Sequence, residues 1–301
     1  MKIAVLLTCF NRKLKTISCM EHVLKACSTY NNSHDEHIFL SFFITDDKCT
    51  DGTPDALKKV LQNERLTIIS ADGSAYWAGG MRLAWKKALE QEETYDFYLL
   101  LNDDTMMNED CFSMLIDTNQ YSLSHFNKEG VYAAFVHDPN DKDIITYGAK
   151  KYRKGVFSSA VDMVPNGCPQ RCTLTNANIL LVSKYVCERI GILSDEYIHG
   201  AADWDYGIRA SNAGFPVLTT SYACGTCKKD HDNAEEEANK VIPMNVKDRK
   251  KIIDKPTRQY KDSLTFFKKY NKVKYVMLCL AYYMNIYTPR VFYKLFKFRG
   301  H

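Results

Sequence analysis

The stretch "LLLNDDTM" (99–106) joins an apolar run to two adjacent acids. Its three leucines predict a short buried strand, and Asn102, Asp103 and Asp104 follow that strand directly. One interpretation is a strand end that turns into a helix capped by Asp104 or Thr105. The other is a site for a hard divalent cation, Mg²⁺ or Mn²⁺, which takes carboxylate and carbonyl oxygens and would offset the repulsion between the acids. These residues alone leave both interpretations open.

Predicted strands and helices alternate around this stretch. Apolar runs predict strands at 2–8, 38–45, 66–70 and 96–102, and helical patterns predict helices at 12–27, 53–61 and 79–91. Further strands are predicted at 130–138 and 176–183, and further helices at 183–191 and 203–215. This alternation is typical of an α/β fold with a mostly parallel central sheet and helices on both faces.

Polar clusters follow each of the first four predicted strands. They occupy residues 8–12, 46–51, 72–77 and 102–105. Open α/β sheets bind ligands at the carboxyl ends of their strands, so we expect these clusters to form one site. Within the second cluster, Asp51 is explained by the turn at Gly52, whereas the Asp46 carboxylate can accept a hydrogen bond from a nucleobase or a ribose hydroxyl.

Two acids flank Trp204 at the start of the predicted helix 203–215. Asp203 and Asp205 suit the first turn of a helix, where the helix dipole favours carboxylates. A carboxylate beside an aromatic wall can also hold a raised pKa and act as a general base. His231 has a similar pair of interpretations, as a polar loop residue or as a Mn²⁺ ligand if its loop folds back onto a metal.

The cysteines and the overall composition predict a cytoplasmic globular protein. The composition is 46% hydrophobic and 25% charged, and the eleven cysteines cannot all pair. No signal-peptide pattern precedes the first strand, which favours reduced thiols. Cys168 and Cys172, with Cys224 and Cys227, have spacings compatible with structural zinc, but packing in the core is the favoured interpretation.

The charge distribution divides the chain into an acidic body and a basic extension. Residues 245–301 contain 15 Lys and Arg against three Asp, whereas residues 1–244 contain 25 basic and 33 acidic side chains. The apolar run "YVMLCLAYYM" (275–284) is too short for a transmembrane helix, which needs about 20 residues. We expect the helical extension to lie on an anionic membrane surface or to pack back on the body, with nearly equal weight. The acidic body argues against nucleic acid as a partner.

Five segments, in this order, resemble glycosyltransferase family 2, inverting GT-A enzymes of the kind that assembles bacterial polysaccharides and other glycans. They are "LLTCFNR" (6–12), "DDKCTDGT" (46–53), "YWAGGMRLAW" (76–85), "LLLNDDT" (99–105) and "ERIGILSDEYIHGAADWDYGIRASNAGF" (188–215). The resemblance covers about residues 2–232 and implies a GT-A catalytic domain at 1–244. Its nucleotide-sugar half would span about 1–125 and its acceptor half about 126–244.

The resemblance implies transfer of a sugar from a UDP- or dTDP-sugar to a hydroxyl of a glycan or lipid-linked acceptor, with Mg²⁺ or Mn²⁺ as cofactor. Asp203 would be the catalytic base. The residues implied in donor binding are Thr8, Asn11, Arg12, Asp46, Asp47, Gly79, Gly80, Arg82 and Asp103. The implied metal ligands are Asp104, Asn102 and His231, and the implied acceptor residues are Trp77, Trp204, Asp205 and His199.

The chain departs from the family pattern at three places. Asn102 stands at the first Asp of the metal motif, so Asp104 is the safer ligand. Met81 and Arg82 replace two Asn, and Ala202 replaces a Glu of the acceptor motif. The rival functions are a non-catalytic sugar-nucleotide-binding module and a nucleotidyltransferase of similar fold. Peripheral attachment to the inner face of the cell membrane and a homodimer are the remaining expectations.

Overall fold

A computed structural model describes residues 1–153, 159–229 and 234–296. The strands are β1 (Lys2–Cys9), β2 (Phe39–Asp46), β3 (Arg65–Ser70), β4 (Phe97–Leu101), β5 (Met106–Met107), β6 (Val131–His137), β7 (Ile145–Tyr147), β8 (Ala149–Arg153), β9 (Ser159–Asp162), β10 (Leu174–Thr175), β11 (Ile179–Ser183) and β12 (Val217–Thr226). The helices are α1 (Lys13–Ser33), α2 (Thr53–Val60), α3 (Tyr76–Leu89), α4 (Cys111–Phe126), α5 (Lys184–Ile190), α6 (Ala202–Asn212), α7 (Ala234–Val241), α8 (Val246–Ile253), α9 (Tyr260–Tyr270), α10 (Lys272–Tyr287) and α11 (Pro289–Phe296). A 3₁₀ turn at Pro256–Arg258 leads into α9.

The central sheet is parallel in its first half and mixed in its second. Its order is β3-β2-β1-β4-β11-β6-β12-β5, with β7 paired to β6. The first four strands are parallel, as expected from their connecting helices. β11 then runs antiparallel to both β4 and β6. The strands β8, β9 and β10 form a separate small sheet.

Helices cover both faces of the sheet and give it two hydrophobic cores. Along β1, Ile3, Val5 and Leu7 belong to the core that includes side chains of α1 and α4. The alternating residues Ala4 and Leu6 belong to the core that includes α3, α5 and α6. Burying a large apolar side chain contributes about 1.5–3 kcal/mol, so packing on both faces stabilises the sheet. The predicted α/β architecture is confirmed.

Two predicted boundaries moved, and both changes affect the site. The helix expected at 79–91 begins at Tyr76, so the two glycines of "AGG" lie within its first turns. The chain after Asp104 does not enter a helix, because it passes through β5 and α4 begins only at Cys111. The interpretation of Asp104 or Thr105 as a helix cap is therefore wrong, and the two adjacent acids need another explanation.

The basic extension packs on the body through α9. Phe266 of α9 is fully buried in the core that contains α3 and α6, and its ring lies 5.6 Å from that of Trp204. Within the described part of the chain, every helix is too short or too polar to cross a membrane. The buried Phe266 shows that α9 packs back on the body, as one of the two interpretations expected. The helices α10 and α11 come after α9 in the chain.

Candidate active site

A cavity of about 460 Å³ lies beyond the carboxyl end of β4 and joins eight of the predicted site residues. Its lining includes Arg12, Trp77, Asn102, Asp103, Asp104, His199, Asp203 and Trp204. A larger cavity of about 740 Å³ is lined by Lys2, Phe39 and Arg65, at the amino ends of β1, β2 and β3. Because parallel strands bind ligands at their carboxyl ends, the smaller cavity is the candidate site.

Two basic side chains lie close to Asp103 and Asp104, which line the cavity. Arg12 Nη1 lies 2.8 Å from Asp104 Oδ2 and 3.4 Å from Asp103 Oδ1, and Lys15 Nζ lies 4.0 Å from Asp104. Asp103 is only 7% exposed and accepts a hydrogen bond from the Thr16 hydroxyl. Burial raises the pKa of Asp103 to about 6, even though Arg12 opposes that shift. The two carboxylates are tolerated side by side because basic side chains compensate them.

Asn102 shares its side-chain oxygen with a tryptophan. The indole Nε1–H of Trp77 donates a 2.7 Å hydrogen bond to Asn102 Oδ1, which fixes the ring at the cavity wall. Among the described residues, the hydrogen-bond partner of Asp104 Oδ1 is the Cys227 thiol, at 3.7 Å. Of the three predicted metal ligands, Asp104 offers the best available oxygen, Asn102 has a competing partner, and His231 lies outside the described residues.

The zinc alternative is contradicted by where the cysteines lie. Cys172 belongs to one core of the sheet, whereas Cys224 and Cys227 belong to the core on its other face. The sheet separates them, so they cannot share one ion. Among the residues described, the group that could hold a metal is instead Cys9, Asp46 and Cys49, whose ligand atoms lie within 4.8 Å of one another.

That second group forms the corner beside the carboxyl ends of β1 and β2. Asp46 Oδ1 accepts the backbone N–H of Cys49 at 2.7 Å, and the two thiols lie 3.9 Å apart. Asn11 adopts a left-handed φ of 51° and accepts the N–H of Thr50 at 2.7 Å, which ties the β1–α1 loop to the β2–α2 loop. Burial raises the pKa of the Cys9 thiol, so it is protonated without a metal.

Several residues predicted to bind the donor have structural partners instead. Asp47 accepts the backbone N–H groups of residues 73, 75 and 76 at 2.9–3.2 Å and so fixes the start of α3. Arg82 donates to the carbonyls of Ser194 and Tyr197, which directs it away from a donor phosphate. A Cβ on Gly80 would lie 2.2 Å from the Thr8 hydroxyl, so this glycine permits a close helix–strand approach.

Asp203, the predicted general base, lies at the wall of the cavity. It lies in the first turn of α6, lines the cavity and is 8% exposed. Its carboxylate accepts the backbone N–H of Ala177 at 3.1 Å and of Trp204 at 2.9 Å. Burial raises the pKa of Asp203 to about 6, although these hydrogen bonds oppose the shift. A carboxylate with this pKa is ionised at neutral pH and can still take a proton.

Asp205 lies two residues away and has a different role from the predicted one. It is 0% exposed and receives hydrogen bonds from Lys269 at 2.9 Å, Tyr270 at 2.7 Å and Arg209 at 2.7 Å. Burial would raise the pKa of Asp205, but these donors outweigh it and lower the pKa. The prediction that Asp205 contacts the acceptor is wrong, because its carboxylate is enclosed and joins α6 to α9.

The basic extension contributes to the cavity wall, which the sequence patterns did not predict. Thr257 and Gln259 line the cavity. Asp262, 3% exposed, accepts the backbone N–H groups of Ile198, His199 and Gly200 at 3.0, 2.7 and 2.7 Å. One signal was available in the sequence, since Asp262 is the last acid of the chain.

His199 is positioned by that contact. It lies on the cavity wall, and burial lowers its pKa, so the ring is neutral at pH 7. Its Nδ1 atom is buried and has no hydrogen-bond partner among the described residues. The predicted acceptor residues Trp77, Trp204 and His199 therefore share one cavity with Asp203, and Asp205 does not.

No known family model matches the sequence, and no curated protein matches it. Solved structures do resemble the fold. The mannosyltransferase PcManGT from Pyrobaculum calidifontis, in complex with GDP-Man and Mn²⁺, aligns at a TM-score of 0.53 and 12% identity, over 99% of this chain and 76% of that one. TarS 1–349 from S. aureus, in complex with UDP-GlcNAc, aligns at a TM-score of 0.53 and 13% identity, over 97% of this chain and 83% of that one. The chain therefore has the fold of the GT-A glycosyltransferases.

Proposed function

We propose that the protein is an inverting glycosyltransferase of the family 2 type. It would move a sugar from a UDP- or dTDP-sugar to a hydroxyl of a glycan or lipid-linked acceptor, in the assembly of a polysaccharide. The observation that carries this proposal is that Asp203, with a pKa of about 6, shares one cavity with the Asp103–Asp104 pair. Single displacement of a nucleoside diphosphate requires two things in one cleft. One is a general base for the attacking hydroxyl, and the other is a site for a cation that neutralises the charge of the leaving diphosphate.

Asp104 would hold a divalent cation, Mg²⁺ or Mn²⁺. Its donor chemistry fits, because such ions are commonly bound by one or two carboxylates, with phosphate oxygens and water completing the coordination. When bound, the cation offsets the negative charge that develops on the departing diphosphate. Arg12 and Lys15, whose side chains are about half exposed, would turn from the acids toward the diphosphate.

The donor nucleoside would lie against the β1–β2 corner. Asp46 faces this corner beside Cys9 and Cys49, and its second carboxylate oxygen can accept from a pyrimidine ring N–H. Asn11 keeps the two loops together at that place. The acceptor hydroxyl would approach Asp203 between Trp77 and Trp204, whose rings suit the apolar faces of a sugar.

Asp203 would remove the proton from that hydroxyl as its oxygen attacks the anomeric carbon. The bond to the diphosphate oxygen breaks on the opposite face, so the configuration inverts. Thr175 donates its hydroxyl to the Asp203 carbonyl at 2.7 Å, and Ala177 donates to its carboxylate, so the base has a fixed orientation.

The test replaces the base while leaving the donor site intact. We expect Asp203→Asn to lower the turnover number at least about 100-fold, the lower range of general-base contributions, with little change in donor affinity. Thermal shift with UDP-, dTDP- and GDP-sugars and Mn²⁺ identifies the donor, and nucleoside diphosphate release measures turnover. Asp117→Asn, an exposed acid on α4, is the matched control.

Three outcomes contradict the proposal. Undiminished turnover in Asp203→Asn removes the base assignment. Donor binding without turnover in the unmodified protein, with each acceptor class supplied, indicates a binding module. Release of pyrophosphate from a nucleoside triphosphate indicates a nucleotidyltransferase.

A further inference from the structure

Within the part of the chain that the structure describes, α10 has one face packed on the protein and an opposite face that is exposed. Ala281, Asn285 and Ile286 are buried on the inner face. The Tyr282 hydroxyl donates to Asp254 at 2.6 Å, and Arg249 donates to the carbonyl of Ile286. The orientation of α10 on α8 and α9 is therefore set by both polar and apolar contacts.

The outer face of α10 is apolar along its whole length. Its exposed large apolar side chains recur at helical spacing and are each 44–61% exposed: Val273, Val276, Met277, Leu280, Tyr283 and Tyr287. At 1.5 Å per residue they cover about 21 Å of helix. No charged residue stands between Lys274 and Arg290. On α11, Val291 and Leu295 are also exposed, at 48% and 59%. We call these eight side chains the apolar stripe.

Positive charge borders the apolar stripe at both ends, and negative charge is absent from this part of the sequence. Lys268 and Lys272 lie before it, and Arg290 and Lys294 lie at its far end, all exposed. From residue 263 to 301 the sequence has eight Lys and Arg and not one Asp or Glu. A second copy of this chain would bring the same positive charges together, which disfavours a symmetric dimer on this surface.

We propose that the apolar stripe lies in the headgroup region of an anionic lipid bilayer, with α10 and α11 parallel to the membrane plane. An apolar helical face flanked by basic side chains is the arrangement that binds such surfaces, and tyrosines suit the headgroup level. At 16 residues, α10 is shorter than the roughly 20 that span a bilayer, so it lies on the surface rather than crossing it.

The helix that carries most of this surface is joined to α9, which holds part of the wall of the candidate active site. Only Asn271 separates α10 from α9, and Asp262 of α9 holds the backbone of residues 198–200 beside Asp203. A protein docked through the stripe would therefore hold its acceptor half near the bilayer. This consequence rests on the proposed function, because only a lipid-linked acceptor would be met there, but lipid binding itself does not depend on transfer.

The test is flotation of the full-length protein with two kinds of vesicle, pure phosphatidylcholine and phosphatidylcholine with about one third phosphatidylglycerol. We expect flotation with the anionic vesicles and loss of most of it at about 1 M NaCl, where the Debye length is about 3 Å. Met277→Glu combined with Leu280→Glu should lower the floated fraction at least tenfold. Leu14→Glu, an exposed apolar position on α1, is the matched control and should float like the unmodified protein.

Thermal unfolding and donor binding, measured on each variant, show that the fold is kept. Equal flotation of the double variant and the unmodified protein would overturn the proposal, as would equal binding to both vesicle types. Failure to float, together with a dimer in solution that the double variant makes monomeric, would assign the stripe to a second copy. Transfer that persists in the double variant with a water-soluble acceptor, while flotation is lost, separates lipid binding from the proposed reaction.

Discussion

The buried carboxylate of Asp262 offers the sharpest test of how the C-terminal segment contributes to the site. Oδ1 accepts the N–H of Ile198, and Oδ2 accepts those of His199 and Gly200, both at 2.7 Å. In Asp262→Asn, one carboxylate oxygen becomes an NH₂ group that meets N–H donors. At least one hydrogen bond to a charged acceptor is lost, and one partly buried N–H loses its partner. We expect the free energy of unfolding to fall by about 2–3 kcal/mol.

The kinetic effect of Asp262→Asn should be specific to the acceptor. The loop 198–200 carries His199 and precedes Asp203, whereas the donor corner at Asp46 has no contact with Asp262. We expect a raised KM for the acceptor and an unchanged dissociation constant for the donor.

Urea unfolding measures the stability change, and initial rates at varied acceptor concentration measure the kinetic one. Asp117→Asn controls for removal of an exposed charge. If Asp262→Asn unfolds within about 0.5 kcal/mol of that control, the size of an ordinary surface substitution, and keeps the same acceptor KM, the reasoning is refuted.

Two further predictions concern the base and the glycines of α3. Because the pKa of Asp203 is raised to about 6, the turnover number should fall as the pH drops below about 6, approaching tenfold per unit. Asp103 has a similar pKa, so Asp103→Asn is the control. The residual activity of this variant should still fall at acidic pH. If that fall disappears, the titrating group is Asp103. Gly80→Ala should destabilise the protein by about 1–3 kcal/mol, because its Cβ would lie 2.6 Å from the Cβ of Thr8. In Gly79→Ala the new Cβ would meet no atom closer than 3.7 Å, so this variant should be more stable by up to about 1 kcal/mol. Donor binding that weakens equally in both variants would instead indicate that the two glycines contact the donor.

The first half of the sheet could be predicted from the sequence, and the direction of the later strands could not. Apolar runs bounded by polar clusters located β1 to β4, and short connections through helices made them parallel. The run "ILLVS" (179–183) is equally apolar and buried on both faces, but it runs antiparallel between β4 and β6. The hydrophobic pattern of a strand indicates which of its residues are buried, but it does not indicate the direction in which the strand runs.

The candidate site was predictable where neighbouring residues decide it. Asp103, Asp104 and Asp203 follow strand or helix boundaries, and the structure brings them to one cavity. Asp205 has the same local signal as Asp203, two positions away in the same helical turn. Its enclosure depends on hydrogen bonds from Lys269 and Tyr270, which lie more than 60 residues later in the sequence. A local pattern cannot distinguish the acid that lines a cavity from the acid that contacts a distant helix.

The contacts of Asp205 with α9 determine which variants can test the role of the C-terminal segment. Two positions along a helix differ by about 200° in direction, so Asp203 faces the cavity while Asp205 faces α9. Deleting residues 258–301 would leave Asp205 buried with Arg209 as its remaining charged partner and would expose the pocket of Phe266. Removal of partners from a buried carboxylate and loss of a core phenylalanine each cost several kcal/mol, comparable to the whole stability of a domain. A truncated protein that failed to bind membranes would therefore report unfolding, whereas substitutions of exposed side chains in the apolar stripe test the proposed interaction with lipid and leave the core in place.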